Sequence, residues 1–239
     1  MDNVKVYPDS KALAQAAAET FVSLANDAIQ ANGRFSVSLS GGSTPKTAYA
    51  LLATPEFSRR VKWSHVHVFW GDERCVPPDH PDSDYKMAKE ALLDHVPLPL
   101  ENIYRIHAEN DPAMTASDYE QKLRAFFGDA PRFDLMLLGM GDDGHTASLF
   151  PHSAALKEQT RWVVPNWIEK LNTWRVTLSP AAINASAQIV FLVCGEGKAE
   201  RLKQVLKGPY QPDELPSQLI KPTNGKLLWL VDAPAAKLL

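Results

Sequence analysis

At 239 residues, 45% hydrophobic and 22% charged, the chain has the make-up of an ordinary folded protein, and α/β chains of this length are often one unit with a single core. A formal net charge of −3, with no run of five basic residues, excludes a protein built to coat nucleic acid, so an anionic ligand must be held by a local cluster of cations. No stretch reaches the ~18 apolar residues of a membrane span, and the opening MDNVKVYPDS carries no apolar leader behind a basic flank, which makes the cytoplasm the expected compartment.

Val4 to Tyr7 reads as a short strand. Asp9 or Ser10 can cap the helix that follows, in which Leu13, Ala17, Phe21, Leu24 and Ala28 recur at three- and four-residue steps and Gly33 supplies the stop. Phe35 to Leu39 is the next strand, and SGGSTPKT at 40–47 links it to a helix expected to begin at Pro45. Glycine backbone, the hydroxyls of Ser40, Ser43 and Thr44, and the free amides of a helix start suit a phosphate. The spacing GxxxxGK[ST] is absent, which argues against a nucleoside triphosphate, and a plain strand-to-helix turn remains the alternative reading.

His65 to Trp70 reads as a strand whose two histidines lie on its faces, with no third ligand nearby to make a metal site. Asp72, Glu73 and Arg74 follow at its carboxyl end. In an arbitrary protein such a triplet is a surface charge cluster, but here it falls where α/β sheets place ligands. Cys75 and Cys194 are too few for a disulfide framework. The first leaves open a reactive thiol beside Arg74, and the second reads as a small core residue. The proline-rich run to Asp84 is an irregular loop suited to a cleft wall, and Ser83 can cap a helix from Asp84 to about His95. A brief strand is expected at Ile103 to Ile106. A helix over 112–127 follows from the spacing of Met114, Tyr119, Leu123 and Phe126.

Phe133 to Leu138 is an apolar run of the buried parallel type. It breaks at Gly139, Gly141 and Gly144, where the chain can turn sharply and bring amides against a ligand. Asp142, Asp143 and His145 sit inside that turn, and Thr146 to Phe150 could start a short helix limited by Pro151. Read alone, the stretch is also compatible with a capping turn and a solvated histidine. Further strands are expected at 162–164, 175–178, 188–193 and 227–231, with helices at 180–187 and 197–206. Several of these strands lack long intervening helices, which predicts some antiparallel pairing in the C-terminal part. The whole pattern predicts an α/β fold: a single domain over 1–239, doubly wound, with a mostly parallel sheet and a cleft at the ends of strands 35–39, 65–70 and 133–138.

GMGDDGHTASLFP at 139–151 resembles the signature of the 6-phosphogluconolactonases. SLSGGSTPKTAYALL at 38–52, FWGDERCVPPDHPDSDY at 69–85, RVTLSPAAINAS at 175–186, FLVCGEGKAERL at 191–202 and LLWLVDAPAA at 227–236 look like that family in the same order. The resemblance implies a three-layer α/β/α fold and hydrolysis of 6-phospho-D-glucono-1,5-lactone, with no cofactor or metal. Its implied partner is a phosphorylated sugar lactone, not nucleic acid or a membrane.

Ester hydrolysis needs an activated water, an environment for the oxyanion and a proton for the leaving oxygen, and His145 is the natural base. The family's motifs bring Asp72 and Arg74 to the same site, with Arg74 toward the anionic substrate. They also imply Gly41, Gly42, Ser43 and Thr44 as the phosphate-side loop, Arg175 and Lys198 as candidates for phosphate charge, and Asp143 as a binding-loop residue that can hold its own turn. Ser148 lacks a GxSxG elbow and is not expected to act as a nucleophile. Related deaminases and isomerases of amino-sugar and sugar phosphates share these loops. They are the alternative enzymes, and a non-catalytic sugar-phosphate sensor is the alternative of another class.

Overall fold

The computed structural model describes residues 3–239; Met1 and Asp2, the first residues of the stretch read for a leader, lie outside them. In chain order the elements are β1 (Val4–Tyr7), α1 (Ser10–Asn32), β2 (Phe35–Leu39), α2 (Ser43–Leu52), α3 (Pro55–Ser58), β3 (Val66–Trp70), β4 (Asp72–Arg74), α4 (Asp84–Ala91), α5 (Pro112–Phe127), β5 (Leu135–Leu138), β6 (Val163–Ile168), β7 (Thr173–Leu178), α6 (Pro180–Asn184), β8 (Gln188–Val193), α7 (Ala199–Lys207), β9 (Lys226–Asp232) and α8 (Ala233–Ala236). Six strands form one parallel sheet in the order β1-β9-β8-β5-β2-β3, and β4-β7-β6 form a small antiparallel sheet.

Local chemistry explains the elements. The Asp9 carboxylate accepts the Ala12 amide to start α1, and Gly33, at φ 75°, ends it in the left-handed conformation that L side chains resist. Between them Leu13, Ala17, Phe21 and Ala28 are buried as their spacing predicts, and α1 packs on α2, β2 and β9. All residues of β2 and β5 are buried, as expected for central strands covered on both faces. Of the two serines of β2, Ser36 donates its amide and hydroxyl to the Asp134 carboxylate just before β5, whereas the buried Ser38 hydroxyl has no partner among the described residues.

The order reverses between β2 and β5, because β2 leads outward to β3 while β5 leads the other way to β8 and β9. Right-handed crossovers then put the first connections on one face and the later ones on the other, and a crevice opens where the two sets of loops part.

Several expectations are corrected. Asp72–Arg74, read as a charged triplet past a strand end, is itself strand β4, so the antiparallel sheet draws one strand from the N-terminal half. Ile103 to Ile106 makes only a single bridge, Ile103 to Val68, over the edge of β3. The stretch 146–150 is not helical: Ala147 has φ 46°, and a tight turn joins Thr146 to Leu149. Its peptide groups are claimed from outside the stretch, Asn166 donating to the Ser148 carbonyl and the Ser148 amide donating to the Thr177 hydroxyl. The helix expected at Pro45 starts at Ser43, and the one expected at 180–187 stops at Asn184. No described helix is long and apolar enough to cross a membrane.

Candidate active site

A cleft of about 250 Å³ lies at the crevice, bordered by the loop after β2, by β4, by the loop after β5 and by the end of β8. A second lobe of about 250 Å³ adjoins it and shares Asp72, Arg74, His145 and Ala147. Gly41, Gly42, Ser43, Thr44 and Lys198 line the first lobe, and Asp143 and Arg175 line the second. The expected contribution from the ends of β2 and β5 is present, that of β3 comes through β4, and the end of β8, with Leu192 to Cys194, is an addition.

The loop after β2 is built for close approach. Gly42 takes φ 101° and precedes α2 without any side-chain cap, so the first amides of that helix have no side-chain acceptor. Tyr49 holds the loop from α2: its buried hydroxyl donates to the Ser40 carbonyl and accepts the Ser40 amide. A Cβ on Gly41 would collide with the Asp84 carboxylate, which fills that space.

Asp84 is a site residue that the sequence reading passed over as a helix-start position. It is buried and pairs with Arg74 Nε at 3.1 Å. Burial first, and then the Asp72 charge, push its carboxyl well above the usual range against the pull of Arg74. Glu73, by contrast, is structural. Its carboxylate accepts the amides of Arg74, Asp84 and Tyr85 and the Ser83 hydroxyl, tying the proline-rich loop to α4. Arg74 also donates Nη1 to the Asp82 carbonyl, which leaves Nη2 without a protein acceptor among the described residues.

His145 is fixed from several sides. Asp143 Oδ1 lies 2.5 Å from its Nδ1 and accepts its backbone amide at 3.2 Å. The ring stacks on Phe150 at 4.0 Å between centroids, and a Cβ on Gly141 would run into it. Gly144 turns at φ 83°, and its carbonyl is taken by the amide and hydroxyl of Ser217. Burial alone would raise the Asp143 carboxyl, but the hydrogen bond from His145 and a contact from Lys170 outweigh it and hold the group well below the carboxylate range. An ionised Asp143 must accept, so in the neutral imidazole Nδ1 carries the proton and Nε2 the lone pair.

The Asp72 carboxylate accepts the Ser148 hydroxyl at 2.6 Å. Ser148 is buried and committed to that contact, a geometry unlike that of a nucleophile activated by histidine. Arg175 sits opposite Arg74 in the antiparallel register, whereas Lys198, just before α7, is ion-paired with Asp142 beside the glycine loop. The two cations grouped by sequence thus occupy different lobes. Burial pushes the thiols of Cys75 and Cys194 up to about 11, so neither is a ready nucleophile at neutral pH. Among the described residues no group of three His, Cys, Asp or Glu side chains could hold a metal.

The chain is similar to known proteins in sequence and in fold. A family profile described as Glucosamine-6-phosphate isomerases/6-phosphogluconolactonase matches residues 8–229. The 6-phosphogluconolactonase of Nostoc sp. is 44% identical over 237 residues, covering 97% of this chain and 96% of its own. The crystallised 6-phosphogluconolactonase of Trypanosoma brucei superposes with a TM-score of 0.89 at 29% identity, over 99% of this chain and 98% of its own. A monomeric glucosamine-6-phosphate deaminase, 22% identical with a TM-score of 0.84 over 99% of this chain and 100% of its own, shares the fold. Matching in sequence along nearly its whole length and in overall fold, the chain belongs to the glucosamine-6-phosphate isomerase/6-phosphogluconolactonase family.

Proposed function

We propose that the chain hydrolyses 6-phospho-D-glucono-1,5-lactone to 6-phospho-D-gluconate, the lactone-opening step of the oxidative pentose phosphate route, with His145 as general base. The observation that carries this reading is the Asp143–His145 contact, which leaves Nε2 lone-pair-bearing in a cleft that also holds a helix start and several cations. Water gives its proton to Nε2 as its oxygen bonds to the lactone carbonyl carbon. The oxyanion forms opposite the Arg74 guanidinium. Collapse breaks the bond to the ring oxygen, which takes the proton back from the imidazolium. A δ-lactone is reactive enough to need no covalent intermediate.

The phosphate is assigned to the amides of Ser43 and Thr44, their hydroxyls, the close approach allowed by Gly41 and Gly42, and Lys198. Arg175 in the other lobe is assigned to the sugar-acid end, and Asp72 to holding the 146–150 turn through Ser148. The 239 residues act as one catalytic domain, in the cytoplasm, on a small-molecule partner rather than on nucleic acid.

The test is a direct comparison of substrates with purified protein, corrected for spontaneous lactone opening. Acceleration of 6-phosphogluconolactone hydrolysis, without ammonia release from glucosamine 6-phosphate or interconversion of pentose phosphates, is the expected result. Ammonia release alone would make it a deaminase, and tight binding without turnover a sensor. His145→Asn should lower kcat about a hundredfold to ten-thousandfold, the worth of a positioned base. Retention of most of the corrected rate would remove His145 from that role.

A further inference from the structure

The hairpin of β6 and β7 turns at Glu169–Leu171, with Asn172 at φ 48° closing the turn by donating its amide to the Glu169 carbonyl. From this turn Lys170 reaches back to the catalytic loop and donates Nζ to Asp143 Oδ2 at 3.1 Å, the oxygen not engaged by His145. Lys170, Asp143 and Phe150 line both the Arg175 lobe and a separate cavity of about 790 Å³ on the far side, so the contact forms part of the wall between the two.

The tip does not hang freely. Trp167 and Trp174 meet edge-to-face at 5.4 Å across the hairpin, and Trp167 Nε1 donates to Glu169. The same small sheet carries β4 with Asp72 and Arg74, and β7 with Arg175. One rigid unit therefore places three cleft residues and also sets Lys170 on Asp143.

We infer that Lys170 is a positioning residue for the reaction, acting through Asp143 on His145. This rests on the reading of His145 as the base. By occupying Oδ2 the ammonium keeps the carboxylate turned with Oδ1 on the ring, and by offsetting its charge it weakens the pull of Asp143 toward imidazolium, the form that cannot accept a proton. Other charges face the ring: Asp72 and Arg74 from β4, Asp84 from α4, Asp142 from its own loop, Arg175 from β7 and Lys198 before α7. Of these cations, Lys198 is paired with Asp142 and Arg74 with Asp84. Lys170 is the cation in contact with Asp143 among the described residues. Because its side chain is largely solvent-exposed, the contact adds little to folding stability, and its effect is read in catalysis instead.

The experiment compares Lys170→Met, Lys170→Arg, Asp143→Asn and the double variant Lys170→Met/Asp143→Asn in 6-phosphogluconolactone hydrolysis from pH 5 to about 8, the range over which histidine changes charge. Lys170→Met should move the acid limb of kcat upward by roughly half a pH unit and lower kcat at pH 6 by up to about threefold, with KM little changed. Lys170→Arg should restore the wild-type profile. In the Asp143→Asn background the Lys170 change should have no further effect, since the route between them is gone. An unmoved pH profile, a change in KM alone, or full additivity in the double variant would overturn the inference. An NMR titration of the labelled His145 ring in wild type and Lys170→Met reads the same coupling without turnover. If His145→Asn stays active while that titration midpoint moves, the reading of the base fails and the coupling stands; if His145→Asn is inactive and the midpoint stays fixed, the coupling fails alone.

Discussion

Asp143 accepts from three nitrogens, His145 Nδ1, the His145 amide and Lys170 Nζ, and that commitment has a signature in stability as well as in rate. A carboxyl held below its unfolded range stabilises the fold above about pH 4, and loses that contribution as pH falls toward its folded value. Asp143→Asn should therefore lower the melting temperature at pH 7, and the gap from wild type should narrow in scans taken toward pH 2.5. The two cleft cations separate by substrate. Lys198→Met, beside the glycine loop, should raise KM for the phosphorylated lactone about tenfold to a hundredfold through loss of a charge-assisted contact, and scarcely affect the unphosphorylated lactone. Arg175→Met in the other lobe should impair both lactones alike, and the reverse pattern in steady-state kinetics would exchange the two assignments. At Gly41 the smallest side chain is already too large: Gly41→Ala must displace the buried Asp84 and its Arg74 partner, and should cost most of kcat/KM.

At the scale of elements, two buried tyrosines do equivalent work at neighbouring strand ends. Tyr49 on α2 brackets the amide and carbonyl of Ser40 past β2, and Tyr119 on α5 does the same for Trp70 at the end of β3. Burial raises both phenols far above their ordinary value, so they act as neutral hydroxyls that donate and accept at once. Tyr49→Phe leaves both Ser40 groups unsatisfied and should lose about 1–3 kcal/mol in denaturant unfolding, with a rise in KM as the loop loosens.

In the sequence Pro45 marked the first of these helices and the spacing of Met114, Tyr119, Leu123 and Phe126 the second, but neither signal carries a trace of what a hydroxyl will reach. The same limit explains Asp84 and Lys170. Asp84 stood in the sequence as the residue after a cap and nothing singled out Lys170, because a contact between residues 143 and 170 is made by folding and not by spacing. The strand reading succeeded where burial on both faces gives a continuous apolar run, as at β2, β5 and β8. It failed at β4, a three-residue charged strand whose pairing is dictated by its neighbour β7. The turn at 146–150 was misjudged for a related reason, since Asn166 donates to its Ser148 carbonyl while Thr177 and Asp72 accept from the Ser148 amide and hydroxyl, and all three partners are distant in sequence.

For the whole molecule, the cleft follows from a reversal in winding that the alternation of strands and helices foretold, while the placing of strands in the sheet could not be read from their order in the chain. β9 is the clearest instance, because it lies between β1 and β8 and puts Trp229 beside Val4. That neighbour relation has a consequence during synthesis. β1 has no hydrogen-bonding partner until β9 emerges from the ribosome, so the nascent chain must carry an unpaired strand while everything between the two is made. Chains arrested after residue 193 should be cut by trypsin at Lys5, whereas released full-length protein should resist. If arrested chains prove equally resistant, the amino-terminal strand has found a temporary partner, and the sheet is completed by exchange rather than by waiting.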